Sequence, residues 1–189
     1  MQLAAVRVVL VATTLASLLG CGSPEQDGIA AVVFDPCELT LAPEAALPDE
    51  LDSIRDAAAM WNATGSAAVT VGDPGDSQLP IRFEIAAPLF FGLYRDDIGE
   101  VVINRRLDSR TARAITVAHE VGHAFGLAHV TDRPSLMNKG NLTISPTADD
   151  VATLRALWGD CTPAPANHAA SSISSSSLAT SASSGTSLR

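Results

Sequence analysis

The sequence predicts an α+β domain: a β-sheet covered by two long helices and closed by a third helix near the C-terminal end. Three observations predict it. Short apolar or alternating segments at residues 31–34, 38–41, 68–71, 81–85, 90–94 and 101–103 have the length and patterning of strands. Leu47, Leu51, Ile54, Ala58 and Trp61 recur at steps of three and four, which makes one helical face that must be covered. A second helical stretch running to about Phe125 carries Val117, Val121 and Phe125 as its apolar stripe, with His119 and His123 on a different face.

Residues 31–34 and 38–41 open the sheet, and Pro36 interrupts them because its ring removes a ladder donor. Pro48, Asp49 and Glu50 start the first helix: proline fits the first turn, and carboxylates meet the partial positive charge there. Residues 62–65 end it. Ile81, Arg82, Phe83, Glu84 and Ile85 alternate, as a strand with one buried face does. The turns at 72–76 and 96–99 carry Asp73, Asp76, Asp96 and Asp97. Solvated carboxylates are expected there, and Ca2+ is the weaker reading, since few oxygens cluster in either turn. Asp108 or Ser109 caps the second helix. A last helix spans Pro146 to Trp158, opening at Ser145, with Val151, Leu154, Leu157 and Trp158 inward and Gly159 as its stop.

The chemistry concentrates in residues 119–129. His119 and His123 stand four residues apart, on one face of a helix, where two imidazoles can share a Zn2+ ion; Glu120 beside them is a candidate general base. Gly126 accepts a positive φ and lets the chain turn, so that His129 can return as a third ligand. Three neutral imidazoles leave one tetrahedral position for water, which separates a catalytic site from a closed structural one. The bland alternative, a helix with two incidental histidines, leaves Gly126 and His129 unexplained. The remaining histidine, His168, falls in a polar tail and is expected to be solvated.

The pattern His119, Glu120, His123, Gly126, His129 resembles the metzincin clan of zinc endopeptidases. Ser135, Leu136, Met137 and Asn138 fit that clan's Met-turn, and Met137 follows His129 by eight residues, a short separation that resembles the matrixin branch. Asp132 within the gap, and Ser145, Pro146, Thr147, Asp149 and Asp150 ahead of a helix ending in Trp158 and Gly159, resemble matrixins too. The resemblance implies a zincin fold, its sheet twisted and mixed, with one catalytic zinc on His119, His123 and His129. It implies that Glu120 carries the proton of the attacking water to the leaving amine, and that Met137 floors the site without ligating the metal. It also implies an edge strand that binds a protein or peptide substrate antiparallel, through backbone hydrogen bonds. Asn138 and Lys139 stand where a tyrosine would follow the Met-turn, so tyrosine assistance is not expected. Lys139 also departs from the family's aromatic-proline continuation, which suggests a preference for an acidic substrate side chain. The loops that hold a second zinc and calcium in the family have no counterpart. Two rivals are a catalytically degenerate zinc-binding interaction module of the cell envelope and a zinc hydrolase of non-protein amides. Glu120 beside the three histidines favours the peptidase.

The ends of the chain speak to its compartment. Residues 1–20 hold one positive charge, Arg7, and an apolar run at 8–19 too short to span a bilayer, which reads as an export signal. Leu18, Leu19, Gly20 and Cys21 resemble a bacterial lipobox, implying cleavage before Cys21 and its lipidation. Gly22 after that cysteine favours the outer membrane if the cell is Gram-negative. Residues 21–30 then form a tether, 31–161 the peptidase-like domain and 162–189 a Ser/Ala-rich tail expected to be disordered. Setting Cys21 aside leaves Cys37 and Cys161, an even pair in an oxidising context, whose bridge would tie the ends of the domain together. The rival role for Cys37, an inhibitory thiolate on zinc as in matrixin propeptides, requires a switch motif that residues 35–38 do not match. A net charge of −9 argues against nucleic acid and against a basic membrane-binding patch. A monomer is expected.

Overall fold

The computed structural model describes residues 31–72 and 78–161. The export signal, Cys21 and the tether, the aspartates of the 72–76 turn, His168 and the tail lie outside the described residues. The elements are β1 (Thr40–Glu44), α1 (Pro48–Asn62), β2 (Thr70–Val71), β3 (Gln78–Glu84), β4 (Gly92–Arg95), β5 (Glu100–Asn104), α2 (Arg110–Ala124) and α3 (Ala148–Trp158). The sheet order is β2-β1-β3-β5-β4. β1 pairs parallel with β2 and β3, β3 pairs parallel with β5, and β4 alone is antiparallel, on the outside of β5. The mixed sheet with two long helices and a closing third is thus as expected.

Burial follows the patterns in the sequence. In β3 the alternate residues Leu79, Ile81 and Phe83 are buried, and β5 is buried at every position, as befits a strand with neighbours on both sides. Ile54, Ala57, Ala58 and Trp61 of α1 meet Val117, Val121 and Phe125 of α2 in the same core. The Trp61 indole N–H donates to the Ala118 carbonyl at 2.9 Å, and its ring stands edge-on to Phe125 at 5.4 Å between centroids. That contact seats the rear of α2 and leaves the histidine face toward the cleft. Polar pairs fix the same crossing. Arg113 reaches Asp49 at 2.8 Å and the Leu107 carbonyl at 2.7 Å, while Arg105 reaches the buried Glu50 at 2.7 Å. Glu50 also accepts the Leu47 N–H, closing the start of α1 predicted from Pro48 and the acidic first turn.

Several boundaries differ from the expectation. Residues 31–34 are extended yet belong to no strand: the Val32 N–H donates to the Asp96 carbonyl at 2.7 Å and the Phe34 N–H to the Ala124 carbonyl at 2.8 Å. A turn at Asp35, whose carboxylate accepts the Cys37 N–H at 2.8 Å, then delays the first strand to Thr40. Phe90 precedes β4 because the Asn104 side chain captures the Ala87 and Phe90 carbonyls and holds that stretch as a turn. The cap of α2 is Ser109, whose hydroxyl accepts the Ala112 N–H. α3 starts later than predicted, with Thr147 as its cap, because Asp150 returns to the Thr147 N–H at 2.8 Å and closes a capping box there. Two apolar positions placed inward, Leu47 and Leu157, are about half exposed, because each sits at a helix end beyond the reach of the core. Cys37 and Cys161 are bonded, with Cα atoms 5.3 Å apart, so the thiolate role for Cys37 is set aside.

Candidate active site

The site is built on the last turns of α2 and the loop that continues from them. Helix α2 stops at the cap Phe125. The Gly126 N–H then returns to the His123 carbonyl at 2.8 Å, and the Leu127 N–H reaches back to Gly122 at 2.9 Å. This is a Schellman closure with Gly126 at φ +90°. The reversal brings His129 over the helix. Its Nε2 lies 3.3 Å from Nε2 of His119 and 3.2 Å from Nε2 of His123.

The other ring nitrogens settle the tautomers. Nδ1 of His119 sits 2.7 Å from the Leu136 carbonyl, and Nδ1 of His123 sits 2.7 Å from the Leu127 carbonyl. A carbonyl only accepts, so each Nδ1 carries the proton and each Nε2 presents a bare lone pair to the common point. Burial pushes His119 below the ordinary histidine value and His123 down to about 4, which keeps both rings neutral. Nitrogens that converge at such distances can share a cation. A tetrahedral ion with metal–nitrogen bonds of about 2.0–2.1 Å sets ligand nitrogens roughly 3.3 Å apart, and the observed separations fit it. Among the described residues these three histidines are the group that could hold a metal ion.

Glu120 is 6 % exposed, and the backbone N–H of Tyr94 donates to its Oε2 at 2.8 Å. Burial raises its carboxyl to about 7, against the lowering effect of that N–H. The approach of β4 to Glu120 depends on Gly92, where an added Cβ would stand 2.7 Å from Thr116 Cγ2 and 2.9 Å from Glu120 Oε1. A second glycine does the same beneath the histidines: at Gly122 a Cβ would meet Met137 Sδ at 2.6 Å. Met137 is 1 % exposed, with its sulfur against Gly122, the neighbour of His123 in α2.

The support under Met137 comes from Asp150, which the sequence marks only as part of the matrixin-like stretch ahead of the last helix. Asp150 of α3 accepts hydrogen bonds from the Ser135 hydroxyl and from the Leu136 N–H at 2.9 Å, and Leu136 is the residue whose carbonyl holds His119. Asp150 therefore fixes the turn that fixes the His119 ring. Burial acts to raise its carboxyl, but the Ser135 hydroxyl, the Thr147 and Leu136 N–H groups and the Thr147 hydroxyl outweigh it and hold the carboxyl below the usual aspartate value. A depressed folded-state value contributes stability above the unfolded-state value, and that stability is lost as pH falls through the folded one. Asp150→Asn should therefore lower stability at neutral pH by roughly 1.5–3 kcal/mol, the scale of hydrogen bonds to a charged group. It should also flatten the acid limb of a plot of Tm against pH. An unchanged acid limb would show that Asp150 does not carry it.

A cleft opens over these groups, lined by β4, His119, Glu120, His123, His129 and, at one end, Lys139. Lys139 is exposed on that wall. Asp96 and Asp97 are exposed in the β4–β5 turn, where Arg95 approaches Asp97 at 3.9 Å.

A mixed sheet with an antiparallel edge strand, a helix bearing two histidines and a glutamate, a glycine reversal to a third histidine and a methionine turn beneath them define a zincin of the metzincin fold. The family model of the matrixins matches residues 25–159, and the chain belongs to the matrixin family. Among curated proteins none matches it.

Proposed function

We propose that the chain is a zinc-dependent endopeptidase that hydrolyses peptide bonds of extracellular or envelope proteins. One observation carries this reading: three imidazole nitrogens converge beside a buried carboxylate in a cleft edged by β4, the outermost strand of the sheet. His119, His123 and His129 would hold the ion, which when bound supplies Lewis-acid polarisation of water and of the scissile carbonyl. The Leu136 and Leu127 carbonyls keep His119 and His123 in the ligating tautomer. Glu120, held at Oε2 by Tyr94, accepts the proton of the attacking water and delivers it to the leaving amine. The open edge of β4 aligns the substrate by strand addition.

The full chain should degrade casein, lose that activity to a chelator and regain it with zinc. The His123→Ala variant should lose bound zinc by metal analysis. A zinc-loaded chain that binds casein without cutting it would overturn the reading in favour of an interaction module.

The support for an exported, lipid-anchored location is the signal-like run before Cys21 together with the Cys37–Cys161 bond, which an oxidising compartment sustains. Metabolic labelling with palmitate should tag the chain and not its Cys21→Ser variant; equal labelling rejects Cys21 as the anchor.

A further inference from the structure

The outer edge of β4 is closed off one residue past its C-terminal end. The Phe91 carbonyl faces β5, where it accepts the Asn104 N–H, whereas the Tyr94 N–H faces the cleft and Glu120. Backbone direction alternates along an antiparallel strand, so Gly92, Tyr94 and Asp96 present their polar groups to the outside. At Asp96 that outside is already taken, because its carbonyl accepts the Val32 N–H at 2.7 Å.

Residues 31–34 are firmly seated there. The Tyr94 hydroxyl donates to the Val32 carbonyl, and the Phe34 N–H donates to the Ala124 carbonyl at 2.8 Å. Val32 packs so closely on Gly99, itself at φ +68°, that a Cβ there would stand 2.9 Å from Val32 Cγ1. Three residues beyond Phe34, Cys37 is bonded to Cys161. Ala31, Val32 and Val33 line the same cleft as His119 and Glu120.

We propose that residues 31–34 are a fixed end wall of the substrate cleft, which limits how much peptide can lie on β4 on the N-terminal side of the scissile bond. The inference rests on the peptidase reading above. Antiparallel addition is the more stable pairing per residue, and a peptide added that way runs from Asp96 toward Gly92. Its N-terminal flank therefore meets Val32 at Asp96, one residue past the end of β4.

The test is a ladder of peptides with a common fluorescein-labelled C-terminal half and alanines added one at a time at the N-terminus. Binding is read by fluorescence anisotropy on the zinc-loaded full chain carrying Glu120→Ala. Affinity should level off once the flank reaches Asp96. Val32→Pro in the same background removes the donor to Asp96, and its affinity should rise by one further step of roughly 2–10-fold, for the one backbone hydrogen bond that the freed Asp96 carbonyl can accept. Val32→Ala, which keeps the N–H, should retain the plateau. Hydrogen exchange supplies a readout that does not depend on the proline variant folding: the Val32 and Phe34 amides should stay protected when the longest peptide is bound. Continued gain with the wall intact, a plateau that proline does not lift, loss of protection on binding, or no binding by any peptide would each overturn the wall. If the ladder behaves as expected and the unsubstituted chain cleaves none of the peptides, the peptidase reading fails and the wall stands.

Discussion

Replacing Glu120 with glutamine is expected to lower kcat/KM for peptide cleavage by about 10²–10⁴, the range carried by a positioned general base, with zinc content unchanged. The change is close to isosteric, and the amide oxygen can still accept the Tyr94 N–H that holds Oε2 at 2.8 Å. What disappears is the ability to take a proton. The surroundings suit proton transfer, because burial raises the carboxyl to about 7 and the proton it accepts from water is held well enough to be delivered to an amine. Gly92→Val should act in the same direction by another route, since its side chain would occupy the space 2.9 Å from Oε1 and push the carboxylate aside. Steady-state kinetics with metal analysis on the same preparations checks both. Turnover by Glu120→Gln equal to that of the unsubstituted chain, with zinc in place, would sink the general-base assignment.

The parts of this site that were legible in the sequence are those governed by local rules. The i,i+4 spacing of His119 and His123 needs only a helix, and the return of His129 needs only a residue that accepts positive φ at Gly126. The apolar faces of α1, α2 and α3 were readable for the same reason, apart from Leu47 ahead of α1 and Leu157 in α3, where periodicity runs on after the core has ended. Apart from the Cys37–Cys161 bond, which the even cysteine pair suggested, contacts between distant segments were not readable. Nothing near residues 31–34 signals that their partners are Asp96 and Ala124, so an extended apolar run there looks like a strand. Weak signals did exist for two missed residues. A glycine inside a helix costs roughly 0.5–1 kcal/mol relative to alanine, so Gly122 hints at close approach, and the structure puts the Met137 sulfur there. Gly92 in a strand carries the same hint, and its neighbour is Glu120. Asp150 reads locally as the partner of Thr147 in a helix cap; its grip on Ser135 and Leu136 is tertiary and has no local signature.

Removing the disulfide with Cys37→Ser and Cys161→Ser together should cost about 4–5 kcal/mol in the chain-entropy model, because the bond spans 124 residues of sequence. For a domain of this size that corresponds to a fall in Tm on the order of 10–20 °C. The bond joins the segment ahead of β1 to the chain just after α3, so its loss frees both ends of the domain at once. α3 is held otherwise by few buried apolar groups, chiefly Leu154, with the Trp158 indole bonded to the Phe125 carbonyl at 2.8 Å. Its Asp150 supports the turn that carries Leu136 and Met137, so loosening α3 loosens the support of His119. The double variant should therefore lose zinc affinity as well as stability, and zinc added in excess should recover part of the lost Tm because it binds the folded state alone. Calorimetry with and without zinc reads both effects. A variant that melts within a few degrees of the oxidised chain would show that the folded ends hold without the bond, and one that melts lower but binds zinc with undiminished affinity would show that α3 keeps its place on the Met137 turn unaided.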